Sequence, residues 1–369
     1  MNNISRRGVI KGLAAASASL SSISGASLPS GIVPKLSRIG FGSCCNQDKP
    51  QPIWHSILAQ DPQLFLFLGD NIYADTRDMR VMRDKYARQT DNYAAIRSHC
   101  EVLAIWDDHD YGENDTDAHY PQKENSRDLF LQFWGDDSHN TRRRDNEGIY
   151  HSAYYGPDHQ RVQIIMPDLR FHRDPAKKVG ALENASRLVR NMGPYAVLDE
   201  SHSQLSAQQW QWLEAQLSQP AKVRIIASSL QFLADYTGWE AWAQYPGDRQ
   251  RLIELIDKTK AEGVIFVSGD THWGEISRQE NNTPYPLYDI TSSGLTETWS
   301  RVSPNRYRMN EEFYAKKNFG EILIDWQQED PQIIMNVKDI SGNVKLNHTI
   351  RLSELSHSPE NQSARKPQK

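Results

Sequence analysis

A chain of 369 residues, 38% hydrophobic and 24% charged, can bury the core of one large α/β domain or two smaller ones. Its formal net charge is −5, with three cations and no acid in the first thirty residues, which argues against a broad basic nucleic-acid-binding face but not against a local site for a small phosphate. Beyond residue 30 no stretch approaches the ~20 apolar residues that span a bilayer, and Cys44, Cys45 and Cys100 are too few for a disulfide scaffold.

Ser5-Arg6-Arg7-Gly8-Val9-Ile10-Lys11 has the form of a twin-arginine signal, followed by a mild apolar run to Leu20 and small residues to Ala26. It predicts a signal peptide over 1–26, cleaved after Ser24-Gly25-Ala26, and export of the folded chain to the periplasm or beyond. A disordered basic N-terminus is the plainer alternative. Residues 27–37 read as an extended lead-in. Arg38–Cys44 is a strand candidate, Ile53–Leu58 opens a helix, and Leu64–Leu68 is a fully apolar buried strand ending at Gly69-Asp70. Glu101–Trp106 runs into Asp107-Asp108-His109-Asp110, and Arg161–Met166 into Asp168-Leu169-Arg170. Ser206 and Gln209 form a capping-box pattern ahead of a helix with Trp210, Leu213 and Leu217 inward. Val223–Ala227 is a strand, Leu252, Leu255 and Ile256 mark the buried face of a helix, and Val264–Val267 leads into Ser268-Gly269-Asp270-Thr271-His272. Glu321–Asp325, Ile333–Val337 and Leu346–Ile350 read as a strand meander. From Ser353 the composition predicts a disordered tail.

The strands repeatedly finish in a glycine or an acid, and the polar residues gather just past those ends, where open α/β sheets form their ligand crevices. In Gly69-Asp70-Asn71-Ile72-Tyr73 a carboxylate can bridge two cations and a phenolate can suit Fe³⁺. A turn in which Asp70 caps backbone and Tyr73 packs fits the same residues. Asp107, Asp108 and Asp110 repel one another around His109 unless cations or solvent neutralise them. Asp270 and His272, at i and i+2 on an extended segment, point to one face, as two ligands of one metal cluster require. Cys44 offers a soft thiolate or a small buried hydrophobe. Arg170 offers a guanidinium fork for phosphate or an internal ion pair, and Ser228-Ser229 a polar contact of unassigned role.

Taken together, the Cys strand end, Gly-Asp-x-x-Tyr, Asp-Asp-His-Asp, Asp-x-Arg and Ser-Gly-Asp-x-His resemble the alkaline phosphatase D (PhoD-like) family of calcineurin-like metallophosphoesterases, from about Arg38 to about Thr298. The resemblance implies a four-layer αββα sandwich with mixed sheets over residues 38–352. It also implies a metal cluster of iron (Fe³⁺) and calcium at the strand ends. Carried over by position, the metal ligands are Cys44, Asp70, Tyr73, Asp107, Asp108, Asp270 and His272, with His109 facing the phosphate and Arg170 as a clamp. The implied activity is hydrolysis of phosphate mono- or diesters by a metal-bound hydroxide.

Two departures stand out: Cys45 occupies a position where a polar residue is expected, and only about ten residues separate the signal from the first strand, where larger secreted members carry an extra β-sandwich domain. A phospholipase D-like diesterase and a non-catalytic, metal-stabilised phosphate-binding protein are the alternatives. A nucleophile-based hydrolase is disfavoured because no Gly-x-Ser-x-Gly elbow occurs. The expected partner is a small-molecule or lipid phosphate ester, and the expected state a monomer. Trp239, Trp242 and Trp299 lie where they could flank a pocket, or pack in the core.

Overall fold

Leu64–Leu68, with no polar alternation, forms a strand (β2) buried on both faces. In the computed structural model, which describes residues 35–135 and 148–357, β2 lies parallel between β1 (Arg38–Gly42) and β3 (Glu101–Ile105). The C-terminal meander consists of β11 (Asn318–Asp325), β12 (Gln332–Asp339) and β13 (Val344–Arg351). It joins antiparallel to β1, so the first sheet runs β13-β12-β11-β1-β2-β3.

The second sheet contains β4 (His151–Tyr155), β5 (Val162–Met166), β6 (Val223–Ala227), β7 (Val264–Ser268), β8 (Gly274–Gln279), β9 (Leu287–Ser292) and β10 (Arg308–Tyr314). Their order is β10-β8-β9-β7-β6-β5-β4, with β5, β6, β7 and β9 parallel and the flanking strands antiparallel. The sheets meet where β8 and β9 pack against β11 and β12.

Helices cover the outer faces. Trp54 of α1 (Ile53–Ala59), Tyr93 of α2 (Met79–His99) and Trp134 of α4 (Lys123–Trp134) all meet the ring of Phe67 on β2, at centroid distances of 5.8, 4.6 and 4.8 Å. On the other side, α6 (Ala207–Leu217) is tied to β5 by the Gln163 amide donating to Gln216 O at 3.0 Å, and α7 (Pro246–Lys258) packs beside α6. Two short helices, α3 (Asp108–Tyr111) and α5 (Ala181–Val189), lie in the connections. The architecture is the αββα sandwich expected, with both sheets mixed.

Some expectations need correction. Ser206 does cap α6, accepting from Gln209 N at 3.1 Å, but the Gln209 side chain does not reach back to it. It is buried instead on the Asp168 backbone, donating to its carbonyl (3.0 Å) and accepting from its N–H (2.7 Å). The tail is not disordered from Ser353: Leu352–Leu355 forms a 3₁₀ turn, Leu355 is buried and its carbonyl accepts from Gly263 N. The signal-like segment 1–26, its cleavage site and the tail past His357 lie outside the described residues. The longest helix, α2, was not expected; its buried stripe includes Tyr86, Gln89 and Tyr93, which do not read as an apolar face.

Phe41 of β1 and Gly320 of β11 are cross-strand partners, and the Phe41 ring lies directly over the glycine. A Cβ at Gly320 would stand 2.0 Å from Phe41 Cζ, in an interior too dense to give way. Gly320→Ala is expected to cost about 1–3 kcal/mol, read as a fall in the urea unfolding midpoint at unchanged slope; an unaltered midpoint would show that the ring moves aside freely.

Candidate metal centre

Four strands end beside one another at the crevice between the sheets: β1 delivers Cys44, β2 Asp70, β3 Asp108 and β7 both Asp270 and His272. At each end except that of β3 the chain turns into the left-handed region, with φ of 60° at Cys44, 51° at Asp70, 67° at Asp270 and 66° at His272. That conformation is uncommon for non-glycine residues, less so for Asp and His than for Cys, and where the surrounding structure holds it, it is a frequent mark of a functional site. It also corrects the reading of Asp270-Thr271-His272 as extended: a sharp turn, not strand alternation, presents these side chains.

The turns are locked to each other. Asp110 accepts from the backbone N–H groups of Asp107 (2.6 Å), Asn71 (3.1 Å) and Asp70 (3.3 Å), and from the Asn71 amide (2.5 Å). One carboxylate thereby joins the β2 and β3 exits. Gly69, at φ 99°, lets them approach, since a Cβ there would lie 2.6 Å from Asp107 Cβ.

Among the described residues, three clusters of potential metal ligands result, in each of which the donor atoms lie within 4.8 Å of one another: Cys44, Asp70 and His272; Asp70, Asp108 and His109; Asp108, Asp115 and Glu240. Asp70 belongs to the first two, as a bridging carboxylate would. Cys44 Sγ lies 3.5 Å from Asp70 Oδ2 and 3.1 Å from Ser293 Oγ, and Ser293 Oγ in turn accepts from His272 N at 2.9 Å. Ser293 therefore positions two members of the first cluster. The Tyr73 hydroxyl is 3.3 Å from His272 Nε2, and its ring lies over His109 at 4.3 Å.

The adjacent cysteines part company. Cys45 packs into the core beneath Tyr93, where burial pushes its thiol up to about 12, while Cys44 faces the carboxylates. Asp270 lines the cleft, but only its backbone carbonyl is near Cys44 Sγ, at 3.7 Å.

The charge balance explains why such a set calls for cations. Burial, with Asp108, Asp107 and Asp110 adding to it, pushes Asp70 well above the usual carboxylate range against the pull of His109. Burial and then Asp107 do the same to Asp270, and burial followed by Asp70 raises the Cys44 thiol. Asp70 Oδ1 is buried without a hydrogen-bond partner. Mutually repelling acids around an orphaned oxygen fit a bound cation. The first cluster offers sulfur, carboxylate and imidazole, with the Tyr73 phenol beside it, and the third offers carboxylates alone, so the two differ in donor softness. Burial lowers His272 to about 4, leaving a neutral imidazole free to ligate.

His109 is the exception. Burial alone would lower it, yet Asp70 and Asp108, then Asp75, raise it to about 11. Asp75 Oδ1 holds its Nδ1 at 2.7 Å, leaving Nε2 as the nitrogen available to the cleft.

Arg170 is not where a phosphate clamp would be. It is fully buried and absent from the cleft lining. Its Nε donates to Asp107 Oδ1 at 2.7 Å, and its two terminal nitrogens donate to Glu240 at 3.1 and 2.8 Å. Glu240 also pairs with the buried Arg173. The ion-pair reading of Arg170 thus fits, although its partners are Asp107 and Glu240, and Asp168 is bound elsewhere, to Trp106 Nε1 at 2.9 Å. Asp107 likewise stands outside the three clusters: its Oδ1 also accepts from Ser229 at 3.0 Å, which gives Ser229 its role, while Oδ2 has no partner.

The cleft, of about 180 Å³, is lined by Asp70, Asp108, His109, Asp115, Glu240, Asp270 and His272 on its polar side and by Trp239, Trp273 and Trp299 on its apolar side. Trp239 and Trp299 meet edge to face at 6.0 Å, whereas Trp242 is core, with its Nε1 donating to Ser228 at 3.0 Å. Sequence reading missed Asp115, Glu240, Asp75 and Ser293. A lone acid amid the aromatics of Thr237–Trp242 was the available signal for Glu240; Ser293 carried none.

Paired mixed sheets with clustered acid, His and Cys donors at converging strand ends define a metal-dependent phosphoesterase. The chain belongs to the PhoD-like phosphatase family, whose family model matches residues 39–332. Among solved structures it is similar to PhoD (16% identity, TM-score 0.63, covering 86% of this chain and 69% of that one). It is also similar to a dimetal phosphatase from Danio rerio (15%, 0.52, 88% and 100%). A third similar structure is GAP50, described as the anchor in the inner membrane complex of Plasmodium (12%, 0.51, 85% and 88%). No curated protein sequence matches the chain.

Removing Arg170 strands Asp107 and Glu240 as buried, uncompensated charges. Arg170→Met is expected to cost about 3–5 kcal/mol, measured by chemical denaturation. A clamp on substrate would instead raise KM at unchanged stability, and that outcome would return Arg170 to the clamp role.

Proposed function

We propose that this protein hydrolyses phosphate mono- or diesters at the crevice between its two sheets, with iron and calcium held by Cys44, Asp70, Tyr73, Asp108, Asp270 and His272. The observation that carries this reading is the shared position of Asp70, one buried carboxylate with an orphaned oxygen common to the Cys44/His272 cluster and to the Asp108/His109 cluster, the latter joined through Asp108 to Asp115 and Glu240. When bound, the cations supply charge neutralisation for the phosphate oxygens and an activated water.

The chain's own residues do the rest. Cys44, Tyr73 and His272 complete the iron corner, and Asp108, with Asp115 and Glu240, the calcium side. His109, oriented by Asp75, offers its Nε2 proton to the leaving oxygen or to charge developing on phosphate. Arg170 and Asp110 position the two carboxylate turns without touching substrate. The tryptophan wall excludes water and receives the alcohol portion of the ester. No Ser, Thr or Cys nucleophile is needed. In this reading residues 38–352 form a single catalytic domain, and a twin-arginine signal over residues 1–26 exports the folded, metal-loaded monomer to the periplasm or beyond. A similar fold occurs in a protein described as an anchor, and a fold by itself does not fix a function. The non-catalytic alternative is therefore part of the test.

Protein purified without chelator is expected to contain iron and calcium and to show a visible thiolate or tyrosinate band that Tyr73→Phe diminishes. Asp70→Asn should stay folded by circular dichroism, lose bound metal and fall at least about a hundredfold in kcat. Wild-type turnover in that variant, or a preparation holding zinc alone, would overturn the ligand assignment.

Turnover of both p-nitrophenyl phosphate and bis-p-nitrophenyl phosphate is expected. Hydrolysis of the diester alone would favour the diesterase reading, including a phospholipase D-like one. Hydrolysis of neither by fully metallated protein would favour a phosphate-binding protein.

A further inference from the structure

Helix α5 is amphipathic in the reverse of the usual sense. In Ala181-Leu-Glu-Asn-Ala-Ser-Arg-Leu-Val189, the helical period places Leu182, Ala185, Leu188 and Val189 on one stripe and Arg187 on the far side. Ordinarily such a stripe faces the core. Here Arg187 is the helix's one buried residue, donating to Tyr195 O (2.5 Å) and the Tyr236 hydroxyl (2.6 Å) and paired with Glu183 (2.6 Å). The apolar stripe faces outward, with Leu182 92% and Val189 86% exposed. Leaving these side chains in water is unfavourable unless something covers them.

Charge identifies the cover. Lys177, Lys178 and Arg190 flank the stripe and are exposed, and the one acid of the segment, Glu183, is already paired. On a chain of net charge −5 this is a local cationic, apolar face, the combination that binds anionic lipid surfaces. An isologous pairing with a second copy would bring these cations together, which disfavours that occupant.

Its place in the fold matters as well. Gly193 N donates to Thr237 O at 3.0 Å, and a Cβ on Gly193 would meet Trp239 at 2.5 Å. Tyr195 donates to Asp115. Thr237, Trp239 and Asp115 all line the cleft, so α5 stands at its rim.

We propose that α5 docks the protein onto an anionic phospholipid surface and so sets the cleft beside phosphate esters displayed there. The docking stands independently of the proposed function, whereas the presentation of substrate rests on it.

The purified protein is expected to sediment with vesicles of equimolar phosphatidylglycerol and phosphatidylcholine, and less with phosphatidylcholine alone. Leu182→Ser/Val189→Ser should weaken binding about tenfold or more, and Lys177→Gln/Lys178→Gln severalfold. Both variants should hydrolyse p-nitrophenyl phosphate at the wild-type rate. Vesicle binding unchanged in the serine variant, or absent in the wild type, would overturn the docking. So would a wild-type dimer in solution that the serine variant abolishes, since a second copy would then be the cover. Docking by a protein that hydrolyses no ester would leave the docking standing and remove the proposed function alone.

Discussion

The structure depends on how it holds several carboxylates together in a space that water barely enters. Asp70, Asp107, Asp108, Asp110 and Asp270 converge at the strand ends, and burial with mutual repulsion pushes most of them up: Asp107 to about 6, Asp110 to about 7 and Asp70 and Asp270 well beyond the ordinary range. Such an arrangement persists only with strong counter-charges. Arg170 from the interior and His109 from the cleft are two of these, and they hold Asp108 below the usual range despite its burial. On the cleft side the orphaned oxygen of Asp70 marks where protein counter-charge stops and a cation fits.

This division of labour separates residues that look alike in sequence. Asp110 accepts from two strand exits and is an architectural carboxylate; Asp108, two residues earlier, faces the cleft. Arg170 and Arg173 flank Glu240 from behind, so Glu240 presents a carboxylate already partly neutralised. Ser293 holds Cys44 and His272 on one side, and Asp75 holds His109 on the other. The left-handed turns at Cys44, Asp70, Asp270 and His272 are held by the sheets behind them, the rigid support that a preorganised site requires.

The surface carries a second pattern. The α5 rim and the cations beside it are tied to the cleft lining through the Gly193 and Tyr195 contacts.

Much of this was legible from residue order. Apolar runs such as Leu64–Leu68 and Val264–Val267 have no other place than a buried strand. The motifs past their ends contain Cys44, Asp70, Tyr73, Asp108, His109, Asp270 and His272, which the fold brings to one crevice. Partnership was not legible. Arg170 read equally as clamp or ion pair, and only packing brought it to Asp107 and Glu240, 63 and 70 residues away. Cys44 was the motif match of the two adjacent cysteines, but only the turn shows one facing the carboxylates and the other Tyr93. Asp115, Glu240 and Ser293 carry no local pattern, since they matter through what the folded chain sets beside them. Local sequence encodes backbone preference and donor type; which charges face one another is a property of distance in three dimensions, where burial makes each such pairing strong.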